Sequence, residues 1–454
     1  MMGKRLAIAI ALVAIAAVAA IAVFLVNRPR SSLPNVILIS VDTLRRDHLG
    51  CYGYARATSP NVDAFARDAM VFDNAYSHSP TTRPSVATMF TSYYPHECQV
   101  FGNSDNLPAI LNTAAGYLKA GGYRTLAVSS TFIIGVNSGF ERDFDVFNND
   151  LQELELVRRI PERIAEKTTD AAIDLLKANG KTKFFLWMHY QDPHGPYTPP
   201  APYDTLFLDR TLPRKPLPFN SSVSGWGGIP DYQRIDNEND YNFYVARYDG
   251  EIRYFDEHFG RLIQALKDMG LYNRSLIIFT ADHGEGMGEH DYYFAHGENV
   301  YNSLLRIPLI VRYGNAKKGL REDYVGLVDV LPTILEAAAI KPAGALHGYD
   351  LLSRDLPAME IYSEMATKYS LIEAGIKLIA DADQEKLFLF DLRNDPREER
   401  DVIRDPAYAA YVEPMLAELD SCRTVSLFEQ TVEPSPAKRT AEEKAKLKSL
   451  GYIQ

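Results

Sequence analysis

The sequence predicts an α/β protein: a sandwich with a mostly parallel central sheet flanked by helices, plus a small C-terminal α+β subdomain. Three observations predict it. Short apolar runs at residues 35–41, 123–129, 184–190, 275–280 and 307–311 have the length and composition of buried strands. Between them lie segments of helical period, such as 244–269, where Tyr244, Tyr248, Ile252, Phe259, Ile263 and Leu266 recur at that spacing. Alternation of this kind belongs to parallel sheets covered by helices, which bind ligands at the carboxyl ends of their strands. After Leu352 the pattern changes to short strands at 359–363, 369–373, 377–380 and 386–392, followed by a helix at 407–419.

The remaining stretches complete the division of the chain. Lys4 and Arg5 precede an unbroken apolar run at 6–26, and Arg28 and Arg30 follow it. About twenty apolar residues span a bilayer, whereas a secretory core is usually about 7–15. An uncleaved membrane anchor at 1–30 is expected; a cleavable signal is the alternative, because small residues crowd 16–20. The chain after residue 30 is then expected outside the cytoplasm, periplasmic or extracellular, with a catalytic domain at 31–352, the subdomain at 353–422 and an irregular tail with a short helix at 423–454. The polar, proline-rich stretch 196–240 is too long for an ordinary connector and reads as a substrate-facing insertion or cap.

A formal net charge of -11 disfavours nucleic acid as a partner and makes purely electrostatic capture of an anion ineffective, so local groups must bind any anionic substrate. Cys51, Cys98 and Cys422 are too few and too scattered for a disulfide framework or a zinc cluster.

Four pieces carry candidate chemistry. Asp42 closes the first apolar run; by itself it is an ordinary turn or cap residue. Thr81-Thr82-Arg83-Pro84-Ser85 leads into an apolar helix at 86–91, with Pro84 at its first position and Thr82 and Arg83 beside free N–H groups that favour an anion. A plain capped helix would look the same. His189 and His194 sit at the end of the run 184–190 and in the proline-stiffened loop beyond it, where chemistry concentrates. Asp282-His283-Gly284-Glu285, continuing through Gly288, Glu289, His290, His296 and Gly297, is the most specific piece. A hard oxygen beside an imidazole nitrogen is a usual pair for a divalent ion, and buried charges must be paired or metal-bound.

Together these pieces resemble sulfatases of the alkaline phosphatase superfamily. The landmarks are Asn35-Val36-Ile37-Leu38 to Asp42, Pro84-Ser85, Pro193-His194, Asp282-His283-Gly284-Glu285 and Arg306-Ile307-Pro308-Leu309-Ile310, all in the family's order. His347-Gly348-Tyr349-Asp350 and Phe390-Asp391-Leu392-Arg393-Asn394-Asp395-Pro396 are similar to its C-terminal landmarks. The resemblance implies an alkaline phosphatase-like sandwich and a hydrolase of anionic sulfate- or phosphate-type esters. It also implies one divalent metal ion, Ca, Mn, Zn or Mg, held by Asp42, Asp282, His283 and the oxygen of Thr82. Thr82 stands at the nucleophile's position, His194 and His296 are implied as acids for the leaving oxygen, and Arg83 and His189 as substrate contacts. Small-molecule, glycan or lipid anionic esters are the implied substrates.

Two departures matter. Sulfatases carry Cys or Ser in a Cys-x-Pro-Ser-Arg signature that matures to formylglycine, whereas this chain has Thr82-Arg83-Pro84-Ser85-Val86. Thr43 replaces a second aspartate. Threonine at this position resembles members that act on phosphoesters, such as lipoteichoic acid synthases and phosphoethanolamine transferases. Bringing an aliphatic hydroxyl from about 15.7 to neutrality takes about 12 kcal/mol, and a helix N-terminus supplies at most about 2 kcal/mol, so a metal must supply most of the activation. The alternatives are a formylglycine-independent sulfatase, a transferase of phospho-groups onto envelope lipids or polymers, and an inactive sulfatase-like binding protein.

Overall fold

A computed structural model describes residues 33–427, apart from 315 and 425, together with 444 and 445. The expected membrane segment at 6–26 and most of the expected tail lie outside the described residues. Among the described residues no helix is long and apolar enough to cross a membrane.

From Asn35 onward the described residues form one compact unit. In chain order its strands are β1 (Asn35–Val41), β2 (Met70–Tyr76), β3 (Arg124–Ser129), β4 (Val146–Asn148), β5 (Glu153–Leu154), β6 (Pro161–Glu162), β7 (Phe184–Tyr190), β8 (Ser275–Ala281), β9 (Leu309–Tyr313) and β10 (Gly319–Gly326). The helices among them include α1 (Pro60–Ala66), α2 (Thr82–Thr91), α3 (Ala114–Ala120), α4 (Ala165–Asn179) and α5 (Tyr241–Asp268), with α6 (Val330–Ala337) after β10. The main sheet has eight strands in the order β10-β2-β9-β8-β1-β7-β3-β4. Every neighbouring pair is parallel except the two made by β9.

The physical reason is in the strand sequences. β1, β7 and β8 are buried at every position, as strands covered on both faces must be, and they read as continuous apolar runs. β10 lies at the sheet edge, half exposed and charged through Arg321, Glu322 and Asp323, so it lacks that signature. The amphipathic α5 buries Tyr244, Tyr248, Ile252, Phe255, Phe259 and Leu266 along one face, and the Asp240 side chain caps its start by accepting from the Asn242 N–H at 3.3 Å.

Beyond Leu352 the chain forms a four-stranded antiparallel sheet, β11 (Ile361–Met365), β12 (Lys368–Glu373), β13 (Ile376–Asp381) and β14 (Lys386–Asp391), with α7 (Ala409–Thr424) after it. Fully buried Lys377 ties this sheet to the main body by donating to Val300 O (2.7 Å) and Asn302 Oδ1 (3.0 Å) and pairing with Glu398 at 2.7 Å. Cys51, Cys98 and Cys422 are all free thiols. Residues 196–240 form no strand and only one helical turn, Asp231–Gln233, yet the stretch is anchored: Tyr197 is fully buried and donates to Glu285 Oε2 at 3.0 Å.

Candidate active site

Three adjacent strands end together. β1 lies between β7 and β8, with Val41 opposite both Tyr190 and Ala281. The next residues, Asp42 and Asp282, therefore emerge side by side, and the Asp42 N–H donates to Tyr190 O at 3.0 Å. Parallel register, more than any local turn, brings two carboxylates some 240 residues apart in sequence into one place.

Each group is oriented so that one atom stays free. Asp282 Oδ1 accepts from the N–H groups of Thr43 (3.2 Å) and His283 (2.8 Å), leaving Oδ2 unpartnered. His283 Nδ1 lies 2.9 Å from Gly284 O, an acceptor only, so Nδ1 carries the proton and Nε2 presents its lone pair. Gly284 is required here, because a Cβ would stand 2.1 Å from Ser303 O. Asp42 Oδ1 is likewise buried without a hydrogen-bond partner. His283 Nε2 is 3.8 Å from Asp42 Oδ1 and 3.6 Å from Asp282 Oδ2. Ligands bound at about 2.0–2.4 Å to one ion stand about 3–3.5 Å apart at neighbouring vertices, so a small contraction closes the shell.

Chemistry agrees with geometry. Asp42, Asp282 and His283 are the one group of three or more such side chains among the described residues able to hold an ion together. Burial pushes the Asp42 carboxyl up to about 7, partly opposed by His283. Burial raises Asp282 too, and the Asp42 charge adds to it. Two carboxyls and an imidazole, enclosed and aimed at one another with free acceptor atoms, are costly without a cation and fit a divalent one. Thr43, at the missing second aspartate's position, is also fully buried, with an unpartnered Oγ1 and φ of 55°.

The nucleophile segment differs from expectation in one detail. α2 begins at Thr82, with Thr81 as N-cap, so Pro84 is its third residue rather than its first. Thr82 still opens the helix, only 1% exposed. Thr81 engages its hydroxyl with Ser79 (3.1 Å), whereas no side-chain bond occupies Thr82 among the described residues. The Arg83 guanidinium, expected to contact substrate, donates to Ile133 O (2.8 Å), Asp105 O (2.7 Å) and Asn106 Oδ1 (3.2 Å) in neighbouring loops. His189 is fully buried beneath the carboxylates, its Nε2 at 3.5 Å from Asp42 Oδ2.

His194 and His296 meet in a cavity of about 260 Å³, which Thr81, Asn103, Arg158 and Glu298 also line. Their rings are 5.1 Å apart, and the His296 ring is 4.6 Å from that of His283, so the cavity abuts the ion site. Burial lowers His194 well below its ordinary value, with His296 adding to the effect, and burial lowers His296 to about 4. The His194 Nδ1 proton goes to Gly195 O at 2.7 Å, leaving Nε2 as an acceptor. His296 Nδ1 contacts Glu285 Oε1 at 3.1 Å.

Glu285 and Arg158 are functional candidates that sequence reasoning gave no role. Glu285 lay within the quoted motif; Arg158, in the hairpin between β5 and β6, had no signal. Arg158 pairs bidentately with Glu155 (2.6 Å each), donates to Gly195 O (3.2 Å) and stacks over Tyr232, placing a cation on the cavity wall. A second cavity of about 210 Å³ is lined by Arg45, Arg46, Arg306 and Arg397, among others, and by no expected site residue. Arg45 is engaged by Asp47 and Glu289, and Arg46 and Arg306 by Asp73.

Comparison with known proteins gives the same outline. The chain is 25% identical over 427 residues to an Escherichia coli protein named as an uncharacterized sulfatase, covering 83% of this chain and 84% of that one. A structure solved in complex with its substrate D-glucosamine-2-N,6-O-disulfate matches with a TM-score of 0.72 at 19% identity, covering 86% of this chain and 97% of the other. The phosphonate monoester hydrolase of Agrobacterium radiobacter matches at 0.69 and 22% identity, covering 86% and 95%. The family model described as N-sulphoglucosamine sulphohydrolase, C-terminal, matches residues 288–425, and the model described as Sulfatase matches residues 34–340. With well over half its length matched by that model, and with the fold to go with it, the chain belongs to the sulfatase family of ester hydrolases.

Proposed function

We propose that this protein hydrolyses anionic sulfate- or phosphate-type esters with Thr82 as nucleophile, in a reaction that needs one divalent ion held by Asp42, Asp282 and His283. The observation that carries it is the convergence of three buried, unpartnered ligand atoms beside a cavity containing two histidines. When bound, the ion supplies Lewis acidity that lowers the pKa of a hydroxyl and neutralises charge on the ester oxygens. Thr82 Oγ, its proton already lost to solvent, attacks sulfur or phosphorus as the bond to the leaving oxygen breaks, and it departs again as the same anion when water displaces it. The α2 N-terminus faces the growing negative charge. Burial raises Glu285 to about 8, so its carboxyl holds a proton directed at His296 Nδ1; His296 gives its Nε2 proton to the leaving oxygen as Nδ1 takes the one from Glu285. His194, with a free Nε2 lone pair, takes a proton from the water that releases the enzyme ester. Arg158 orients the anionic substrate from the cavity wall.

The small cavity with Arg158 and two histidines on its wall supports an anionic substrate. A glycan, lipid or small-molecule ester fits this reading; one structural neighbour was solved with a sulfated glucosamine and another is a phosphonate monoester hydrolase. The apolar run at 6–26 supports anchoring to a membrane with the catalytic part outside the cytoplasm, periplasmic or extracellular. The test is a matched panel of 4-nitrophenyl sulfate, a bis-aryl phosphodiester and an aryl phosphonate monoester, assayed with Mn²⁺, Zn²⁺, Mg²⁺ and Ca²⁺ in turn. Turnover of at least one ester that disappears on chelation is expected; metal-independent turnover, or none with any ion, refutes the reading.

A further inference from the structure

A line of polar contacts runs through the sheet and ends beside one of the candidate ligands. Trp187 and His189 stand two apart on β7, hence on the same face, and Ser40 of β1 lies opposite His189 in register. Trp187 Nε1 is hydrogen-bonded to Ser40 Oγ at 3.0 Å and Ser40 Oγ to His189 Nδ1 at 2.9 Å, while His189 Nε2, buried without a hydrogen-bond partner, has Asp42 Oδ2 at 3.5 Å. All four side chains are buried to within 1%.

The direction of these bonds is set at the Trp187 end, and the distances around Ser40 favour one direction at His189. An indole N–H only donates, so Ser40 Oγ accepts from Trp187. The serine's single proton then has two acceptors in reach, His189 Nδ1 at 2.9 Å and Met188 O at 3.4 Å, and the nearer one is the ring. With Nδ1 accepting, the neutral imidazole carries its proton on Nε2, the atom that faces Asp42. A ring so oriented cannot ligate an ion through Nε2, and with no exposure it cannot touch substrate.

We propose that His189 is a positioning residue: its Nε2–H holds Asp42 Oδ2 so that Oδ1 faces the ion, while Trp187 and Ser40 set its tautomer. Carboxylates that bind metals depend on such outer partners for their orientation. The inference rests on the reading of Asp42 as a ligand.

The test is calorimetric titration of Mn²⁺ into the metal-stripped full chain, with pulsed EPR of the Mn²⁺ protein to count directly bound imidazole nitrogens. His189→Phe should weaken Mn²⁺ binding by about 10–100-fold, and His189→Gln, whose amide N–H reaches the place of Nε2, should recover most of that loss. Ser40→Ala, a small change that frees the tautomer, should fall between wild type and His189→Phe. The EPR spectrum should show one bound imidazole in the wild type. Unchanged affinity in His189→Phe, no recovery with Gln, or a second bound imidazole overturns the proposal while leaving the ion site standing. If His189→Phe does not fold, Ser40→Ala decides, with unchanged affinity as the refuting result. No Mn²⁺ uptake by the wild type overturns the ion site itself.

Discussion

Lys377 offers a sharp test of what joins the C-terminal sheet to the catalytic body. Its ammonium is fully enclosed, donates to Val300 O and Asn302 Oδ1, and is ion-paired with Glu398 Oε1 at 2.7 Å. Burial lowers the pKa of this lysine and Glu398 opposes the shift, so the carboxylate is what keeps the charge inside. Replacing Lys377 by Met removes the cation but leaves Glu398 buried, with the Asn302 N–H as its remaining close donor at 2.6 Å. Breaking one side of a buried pair costs about 3–5 kcal/mol. At about 2.1 cal/mol/K of unfolding entropy per residue, about 390 described residues lose about 4–6 °C in Tm from such a change. The double variant Lys377→Met/Glu398→Gln removes both charges and should recover at least about 1.5 kcal/mol of the single loss. Thermal unfolding of the four proteins in the cycle measures this. A single-variant loss under about 1 kcal/mol, or strict additivity in the cycle, would refute a charge-based clamp.

Further outcomes follow from the site. Thr82→Ala should abolish turnover with an unchanged circular dichroism spectrum, and Thr82→Ser should keep part of it; an active Ala variant refutes the nucleophile. Chelation should lower Tm, and ion restored at a hundred times its dissociation constant should return about 2.7 kcal/mol, a gain absent from Asp282→Asn. His296→Gln should cost about 10²–10⁴ in kcat on esters with alkyl leaving groups and far less on 4-nitrophenyl esters, whose leaving oxygen needs little protonation. Equal losses on both would remove His296 from the acid role.

Much of the sheet was legible because its strands are buried on both faces and must be apolar throughout. β1 and β7 match the expected 35–41 and 184–190 end for end, and β8 differs by one residue from 275–280. β2, with polar Asp73 and Asn74, and β10, at the exposed edge, carried no such run and were not foreseen. α2 begins two residues before Pro84, the expected first position, because Thr81 rather than the residue before Pro84 stands as its N-cap. Among the site residues, the loop contacts of Arg83 were not legible for a similar reason. Its place beside the nucleophile was visible, but the direction of a long side chain depends on which carbonyls the folded loops bring to it.

Residue identity and order within the chain already determined the α/β class, the family landmarks and the types of group at each strand end, since local periodicity and motif chemistry are written in neighbouring residues. The rest belongs to tertiary structure. Parallel register sets Asp42 beside Asp282, a hairpin brings Arg158 to the histidines, and cross-strand register places Ser40 against His189 beneath Asp42. Distances between such remote groups are set by how strands and loops pack, and no local pattern in the sequence encodes them.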